Sequence, residues 1–377
     1  MSKVCEAIHV TTVHPRYDTR VFNKMCTDLT ESGFKVSLYI TDGLPSEIKN
    51  GVSVVNIDKK RSMIPRLFFS HLLVFFKILK NRKAIYHFHD PELMIMGIIL
   101  SLFRFKVVLD FHEDTGEQIE KKHYINPKFR RMIASSYKLV ERVAAKVASG
   151  LVFATPAIAR SIGEERNKKS VIVNNYVKIS EFQSKDQPNN FNKKNLKEFC
   201  YIGLISFDRC FKQLLGSLSY LDDDYRLILA GNFASDSEKE YLQDHKNYDK
   251  VIYKGHVNRE DFKSICQNSI CGILLFKPVG NHIESQPNKM WEYLVCNTRL
   301  VATNFEYWKT LLAPFENLIQ YSDNSPVSIA KAVKEHAIRA ENDSIEDYIE
   351  CSNNITKRYS WEAELDKLIK FYKELSI

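Results

Sequence analysis

The chain reads as an α/β protein of two doubly wound, Rossmann-like domains, and three observations predict this. Its 377 residues exceed one average domain. Short, nearly continuous apolar runs alternate with amphipathic helical patterns from end to end, as parallel strands covered on both faces require. One polar, proline-containing stretch, KISEFQSKDQPNNFNKKNLK (178–197), interrupts the alternation and reads as a linker. The predicted boundaries are 1–178 for the first domain, 179–197 for the linker and 198–358 for the second domain. Residues 359–377, including the amphipathic YSWEAELDKLIKFYKEL, form a closing helix with no strand after it, expected to pack back on the first domain.

The strand candidates of the first half are 4–12, 35–41, 52–57, 84–89, 106–111, 151–155 and 169–174. Those of the second half are 199–204, 225–231, 251–255, 271–276, 299–303 and 318–322. Helical patterns fall at 20–32 and 129–149, then near 211–221, 238–245, 260–268, 287–296 and 325–340. Two such domains facing across a cleft would hold ligands beyond the carboxyl ends of their strands.

Composition narrows the partners. The eight cysteines are scattered with no C-x-x-C pairing, which argues against zinc, haem and redox-motif readings and for reduced thiols in the cytosol. The N-terminus lacks a charged-then-apolar signal layout, so export is not expected. Residues 1–180 carry 29 Lys+Arg against 17 Asp+Glu, while 181–377 carry 25 against 29. An anionic partner is therefore expected for the first half only. Nucleic acid ranks low, because no DNA- or RNA-binding signature accompanies the charge. KKRSMIPRLFFSHLLVFFKILKNRK (59–83) brackets an apolar run with cations and suits an anionic membrane surface, or else the core of the domain. A second run, LMIMGIILSLF (93–103), is expected as a core helix. Both fall short of the roughly 20 residues that cross a bilayer.

The segment NHIESQPNKMWEYL (281–294) carries the most chemistry. Glu284 lies in a loop after an apolar strand, and Pro287 fits the first turn of the next helix. Met290, Trp291, Leu294 and Val295 form that helix's apolar stripe, with Asn288 and Glu292 on a neighbouring face. Amides near Asn288 and Lys289 offer an anion site suited to a diphosphate. Glu292 can accept from two vicinal hydroxyls, and Glu284 stands where an attached sugar projects. Alternatively, Glu284 is a solvated loop charge and Glu292 a helix-surface residue. Gly203 ends a strand and lets a phosphate approach the backbone. Arg209, six residues on, can clamp a diphosphate and offset leaving-group charge; Lys212 assists, or is simply a surface lysine. No Asp-x-Asp cluster is present to hold a metal.

ESQPNKMWE resembles the E-x₇-E signature of retaining glycosyltransferases of the GT-B fold, family 4-like. The nearest likeness is the bacterial surface-polysaccharide branch that reads P-N-K-hydrophobic-aromatic-E-Y. The likeness runs through most of the chain: VHPRYDTRVFNKMCTDLTESGFKVSLY, YHFHDPELM, LDFHED, FCYIGLISFDRCFKQLL and YSWE resemble that branch's motifs in order. The resemblance implies transfer, with retention, of a sugar from a nucleoside-diphosphate sugar to a hydroxyl, without metal or other cofactor. The donor would be held by the second domain and a glycan or lipid-diphosphate-glycan acceptor by the first, with the enzyme peripheral on the inner membrane face. Glu284, His89 and Arg209 would then be the central residues, Glu284 positioning the sugar rather than attacking it. Gly255 and Val257 of YKGHV would contact the base. His112, Glu113, Asp18 and Arg20 would border the acceptor, although Asp18 and Arg20 also fit a local ion pair opening a helix.

His89 would hydrogen-bond the donor sugar or the acceptor; by itself it also suits a structural role. His87 is expected on the opposite face, in the core, and Asp90 and Glu92 as helix caps. Two departures from the pattern stand out. The cation that often follows the strand glycine is Leu204 here, so another residue must substitute or Arg209 becomes more critical. The small-residue turn after the signature helix reads CNTRL. The rival readings are a nucleotide-sugar epimerase and a non-enzymatic scaffold in polysaccharide assembly.

Overall fold

The computed structural model describes residues 5–59, 71–78, 82–112, 127–162, 169–182, 197–279, 282–340 and 345–376. Most of the expected linker, 183–196, lies outside them. The chain divides into two compact units, Met1–Asn175 with Trp361–Ile377, and Tyr176–Ser360.

The first unit is built on eight strands: β1 (Glu6–Val10), β2 (Lys35–Ile40), β3 (Glu47–Lys49), β4 (Val52–Asn56), β5 (Ile85–Phe88), β6 (Lys106–Phe111), β7 (Gly150–Phe153) and β8 (Ser170–Ile172). Their order is β3-β4-β2-β1-β5-β6-β7-β8, parallel except for β3. Apart from β3, each strand was anticipated to within two residues at either end. β3 was not; it pairs antiparallel with β4 across Asn50-Gly51, both at positive φ (51° and 75°). That Asn-Gly pair is a hairpin signal that the sequence displays.

The second unit holds β9 (Glu198–Ile202), β10 (Arg226–Ala230), β11 (Val251–Gly255), β12 (Cys271–Leu274), β13 (Arg299–Thr303) and β14 (Ile319–Ser322). They run parallel in the order β11-β10-β9-β12-β13-β14. In both sheets the strand order reverses beside the first strand, between β1 and β5 and between β9 and β12. Loops leaving the carboxyl ends at such a switch point diverge and leave room for a ligand.

The helix Trp361–Ser376 belongs to the first unit. Trp361, Leu368, Phe371, Tyr372 and Leu375 join the cluster of Val21, Phe22, Val36 and Ile85. Burying side chains of this size stabilises by roughly 1.5–3 kcal/mol each. The contact is tight: a Cβ on Gly150 would stand 2.4 Å from the Phe371 ring. Trp361 Nε1 donates to Asp28 Oδ2 at 2.6 Å, and the Asn174 amide to Glu364 Oε2 at 2.8 Å.

The helix Met94–Leu102 departs from expectation. Met94, Met96, Gly97 and Leu100 are buried, but Ile95 and Leu102 are more than 60% exposed, with Phe103 just beyond. It is half core and half surface. Of 59–83, the described helix His71–Ile78 buries Val74 and Ile78 and exposes Leu72, Leu73 and Phe76; 60–70 and 79–81 lie outside the described residues.

Candidate active site

In the second unit, β9 and β10 are each followed directly by a glycine, and the two glycines touch. Gly203 has φ +157° and Gly231 φ +128°, and a Cβ at Gly231 would lie 1.8 Å from the Gly203 carbonyl oxygen. Only glycine permits that approach. Arg209 follows in the turn Phe207–Arg209, half-buried, its guanidinium carbon 5.0 Å from the Phe276 ring centroid. Its Nη1 is 3.4 Å from where a Cβ on Gly203 would sit, so Gly203 and Arg209 are neighbours in space. Leu204 is exposed and supplies no charge.

A cation does stand nearby. Lys277 leaves the carboxyl end of β12, donates its amide to Asp208 O at 2.9 Å and places Nζ 3.4 Å from Asp208 Oδ1. Asp208 is the residue before Arg209, so the two cations flank one residue at the switch point. Lys212 instead covers the Phe207 and Tyr241 rings, 4.4 and 5.1 Å from their centroids.

Glu284 is exposed in the loop after β12. That loop is pinned on both sides of it: the His282 ring packs on Phe276 at 4.8 Å, and Trp308 Nε1 donates to Ser285 O at 2.8 Å. The next helix spans Asn288–Val295, with Pro287 as its N-cap rather than inside its first turn. Met290, Trp291 and Leu294 are buried as expected, and so is Tyr293, whose hydroxyl accepts the Ile202 amide at 2.8 Å. That bond ties the helix to the end of β9.

Glu292 is not a helix-surface residue. It is 5% exposed and accepts from Arg259 Nη1 at 2.8 Å and Lys289 Nζ at 2.5 Å. Burial pushes its carboxyl up, but the two cations outweigh this and hold it below the usual range. Lys289 is thus engaged with Glu292, its Nζ also 4.4 Å from the Phe262 centroid. Asn288 opens the helix, half-buried. Gly255 ends β11 at φ +67° with open space where a Cβ would be, and Val257 packs against the core.

In the first unit, the loops after β1 and β5 are bound together. Asp90 accepts from the Thr11 hydroxyl at 3.1 and 3.0 Å and from the Val13 amide at 3.2 Å, and also from Thr12. The sequence suggested that Asp90 caps its own turn; it does not, and its carboxylate clamps the β1 loop, while Glu92 likewise bonds Thr12 and lies 3.4 Å from His71. Asp18 caps the segment Thr19–Cys26, accepting from the Arg20 and Val21 amides at 2.8 Å. The local Asp18–Arg20 ion pair does not form. Arg20 is 5% exposed and turns inward, donating to Val173 O at 2.9 Å and Asp110 Oδ1 at 3.2 Å.

Asp110 is the centre of this site. It lies in β6, its side chain fully buried, 3.2 Å from His89 Nδ1 and 3.0 Å from His112 Nε2. Burial pushes its carboxyl up, but Arg20 and the imidazoles outweigh it and hold it well below the usual carboxylate range. His89 Nε2 meets His9 Nδ1 at 2.8 Å. His87 is buried, as expected, but on the same face as His89: residues two apart on a strand point the same way, and the rings stack at 4.4 Å. Its Nδ1 bonds the Tyr372 hydroxyl from the closing helix. Desolvation, then neighbouring imidazoles, lower His9 and His87 well below the ordinary histidine value. Glu113 lies outside the described residues.

Sequence reasoning passed over Lys277, Arg259, Gly231, His9 and Asp110. A charge inside the apolar strand KVVLDF was the signal for Asp110, and a lysine ending GILLFK the signal for Lys277. Nothing local distinguishes Arg259.

Residues 182–358 match the model of the family described as Glycosyl transferases group 1. No curated protein matches the chain by sequence. Among solved structures, the chain is similar to a sucrose-phosphate synthase from Thermosynechococcus elongatus, with TM-score 0.71 and 13% identity over 98% of this chain and 99% of that one. It is similar to a glycosyltransferase from Rickettsia africae, with TM-score 0.71 and 13% identity over 99% and 98% of the chains. It also resembles Anabaena HepE in complex with UDP-glucose, with TM-score 0.68 and 11% identity over 98% and 99%. Two parallel-sheet α/β units give the chain the two-domain, Rossmann-like GT-B fold, and with the group 1 match over its second unit they support a GT-B glycosyltransferase.

Proposed function

We propose that the chain is a retaining glycosyltransferase that moves a hexose-type sugar from a nucleoside diphosphate to a hydroxyl of a lipid-linked glycan, in bacterial surface-polysaccharide assembly. The observation that carries this reading is the convergence of Gly203, Arg209 and Lys277 at the β9–β12 switch point, with the Glu284 loop leaving the same strand as Lys277. A diphosphate can approach the backbone at Gly203, and Arg209 and Lys277 meet the charge that develops on it as the sugar departs. Lys277 supplies the cation missing at Leu204, so departure needs no metal at the diphosphate. A nucleotide-sugar donor is further supported by the shared fold of HepE, which binds UDP-glucose.

Glu284 positions the sugar. Glu292 reaches the ribose hydroxyls once Lys289 and Arg259 turn toward the phosphates, since its two oxygens otherwise serve those cations. Gly255 and Val257 border the base. On the first unit, His112, Asp18 and Glu113 hold the acceptor, while Arg20 and the enclosed His89, both of whose ring nitrogens are engaged, act through Asp110.

A lipid-linked acceptor is supported by the surface of the first unit. Ile95, Leu102, Phe103, Met132 and Leu139 are exposed on and beside two helices that pack together, with Arg104, Arg131 and Arg142 exposed among them. Apolar side chains flanked by cations suit an anionic lipid surface. Among the described residues no helix is long and apolar enough to cross a membrane.

A thermal-shift screen of UDP- and GDP-sugars tests the donor, because a ligand raises apparent stability by mass action. One nucleotide sugar should stabilise wild type and fail to stabilise Arg209→Ala; no shift with any of them overturns the reading. Product analysis with and without a lipid-diphosphate acceptor separates transfer from epimerisation.

A further inference from the structure

We propose that His89, Asp110 and His112 form a binding site for one divalent transition-metal ion of the zinc type in the first unit. This goes beyond the donor chemistry above and does not depend on it.

The first support is distance. His89 Nδ1, Asp110 Oδ2 and His112 Nε2 stand 3.2, 3.0 and 3.4 Å apart, pair by pair. Metal bonds of about 2.0–2.2 Å in a tetrahedral array put neighbouring donors about 3.3–3.5 Å apart. The triangle is therefore within a few tenths of an ångström of three corners of a tetrahedron. Two imidazoles and one carboxylate form a donor set that such ions accept. Three protein donors leave a fourth position, and His112 is the one of the three whose side chain reaches solvent, at 18% exposure.

The second support is a hydrogen count. His9, His89, Asp110, His87 and Tyr372 form a closed ring with five links. They are His89 Nε2 to His9 Nδ1 (2.8 Å), His9 Nε2 to Tyr372 OH (3.3 Å), Tyr372 OH to His87 Nδ1, His87 Nε2 to Asp110 Oδ2 (3.7 Å) and Asp110 Oδ2 to His89 Nδ1 (3.2 Å). Three neutral imidazoles and one phenol bring four hydrogens to those five links. If His89 Nδ1 carries a hydrogen for Asp110, the chain of donors leaves the His87 Nε2 lone pair facing the carboxylate. That buried nitrogen, 3.7 Å from Asp110 Oδ2, makes no hydrogen bond. A metal on His89 Nδ1 reverses the chain: His89 Nε2–H donates to His9, His9 Nε2–H to Tyr372, and Tyr372 O–H to His87. His87 Nε2–H then points its hydrogen at Asp110 Oδ2 across 3.7 Å, an attractive contact in place of a lone pair set against a carboxylate.

The surroundings match what metal-ligating side chains have elsewhere. His89 has its other nitrogen on His9, and Asp110 has its other oxygen on Arg20, which fixes both ligands in orientation.

The test is Co²⁺ and Zn²⁺ uptake by full-length protein after chelator treatment, read as metal stoichiometry and as the visible d–d bands of tetrahedral Co²⁺. Wild type should bind one ion per chain with no thiolate charge-transfer band. His112→Ala, at the exposed corner and tolerant of truncation, should abolish the bands while its melting transition stays cooperative. His9→Gln should weaken binding about 10- to 100-fold by disturbing the support of His89. His245→Gln in the second unit should bind as wild type does. Folded wild type that takes up no stoichiometric ion, or uptake unchanged in His112→Ala, overturns the proposal and leaves the His89–Asp110 contact to a proton.

Discussion

The switch points of the two sheets are built in opposite ways. At β9–β12 the candidate groups are backbone glycines and partly exposed cations: Arg209 rests on an aromatic ring and Lys277 is 39% exposed. At β1–β5 the corresponding groups are buried and bonded to one another, with the side chains of His87, His89 and Asp110 fully enclosed. A site for a mobile, highly charged ligand can rely on long cations that turn to meet it, since the ligand supplies the countercharge. A site that must hold neutral imidazoles in one orientation needs a fixed carboxylate under them, and burial makes each member costly to remove.

That contrast can be broken at its strongest point by Asp110→Asn. Removing the carboxylate leaves Arg20 buried without its partner, and about 3–5 kcal/mol of stability should go. Chemical denaturation should show this loss in the first unit while donor-induced stabilisation of the second persists. Arg209→Ala should do the reverse, lowering kcat/KM about 10²- to 10³-fold, or about 2.7–4 kcal/mol, with the unfolding midpoint nearly unchanged. Equal destabilisation by both variants would erase the distinction.

Two glycines sharpen the picture within the second unit. Gly231→Ala drives a Cβ into the Gly203 carbonyl and should cost about 2–3 kcal/mol together with donor binding. Gly255→Ala meets open space and should cost only about 1–2 kcal/mol of backbone strain, with weaker effect on donor affinity.

Acid should distinguish the units as well. His9, His87 and His89 are lowered chiefly by burial, so they are neutral when folded and protonate on unfolding below about pH 6.5. Unfolding then takes up protons, and stability falls as pH drops through that value, by about 1.4 kcal/mol per pH unit for each such histidine. His14 acts on the other side of that value: burial would lower it, but Asp18 and Asp90 outweigh burial and raise it, so its contribution is complete below about pH 6.5 and is lost as pH rises above it. Denaturant titrations of chelator-treated protein at pH 7.5, 6.5 and 5.5 should therefore show the first unit weakening first. The smallest effect expected is Lys277→Ala, about tenfold in kcat/KM, because the residue is partly exposed and its charge is screened.

Most of the architecture was legible. Strands buried on both faces must be apolar throughout, so β5, β6, β9 and β12 announce themselves, and the helices between them carry the complementary period. The positions of Gly203, Arg209 and Gly255 at strand ends were legible because they follow the apolar runs directly in sequence. The partnerships were not. That Glu292 would be enclosed between Arg259 and Lys289, or that Arg20 would cross to Asp110, depends on residues 33 and 90 positions away meeting through the sheet. The misplacement of His87 was of another kind, since the period of two already puts it beside His89.

The helix Trp361–Ser376 makes the first unit discontinuous, with Tyr176–Ser360 spliced into it. During synthesis, the strands of the first unit cannot complete their interior until the sixteen-residue helix Trp361–Ser376 has left the ribosome, whereas the inserted unit has all its parts earlier. Tyr372, which closes the imidazole ring system, is made only after the whole inserted unit. A chain that stops before Trp361 would therefore carry a complete Tyr176–Ser360 unit and a first unit whose interior and imidazole ring system are still open.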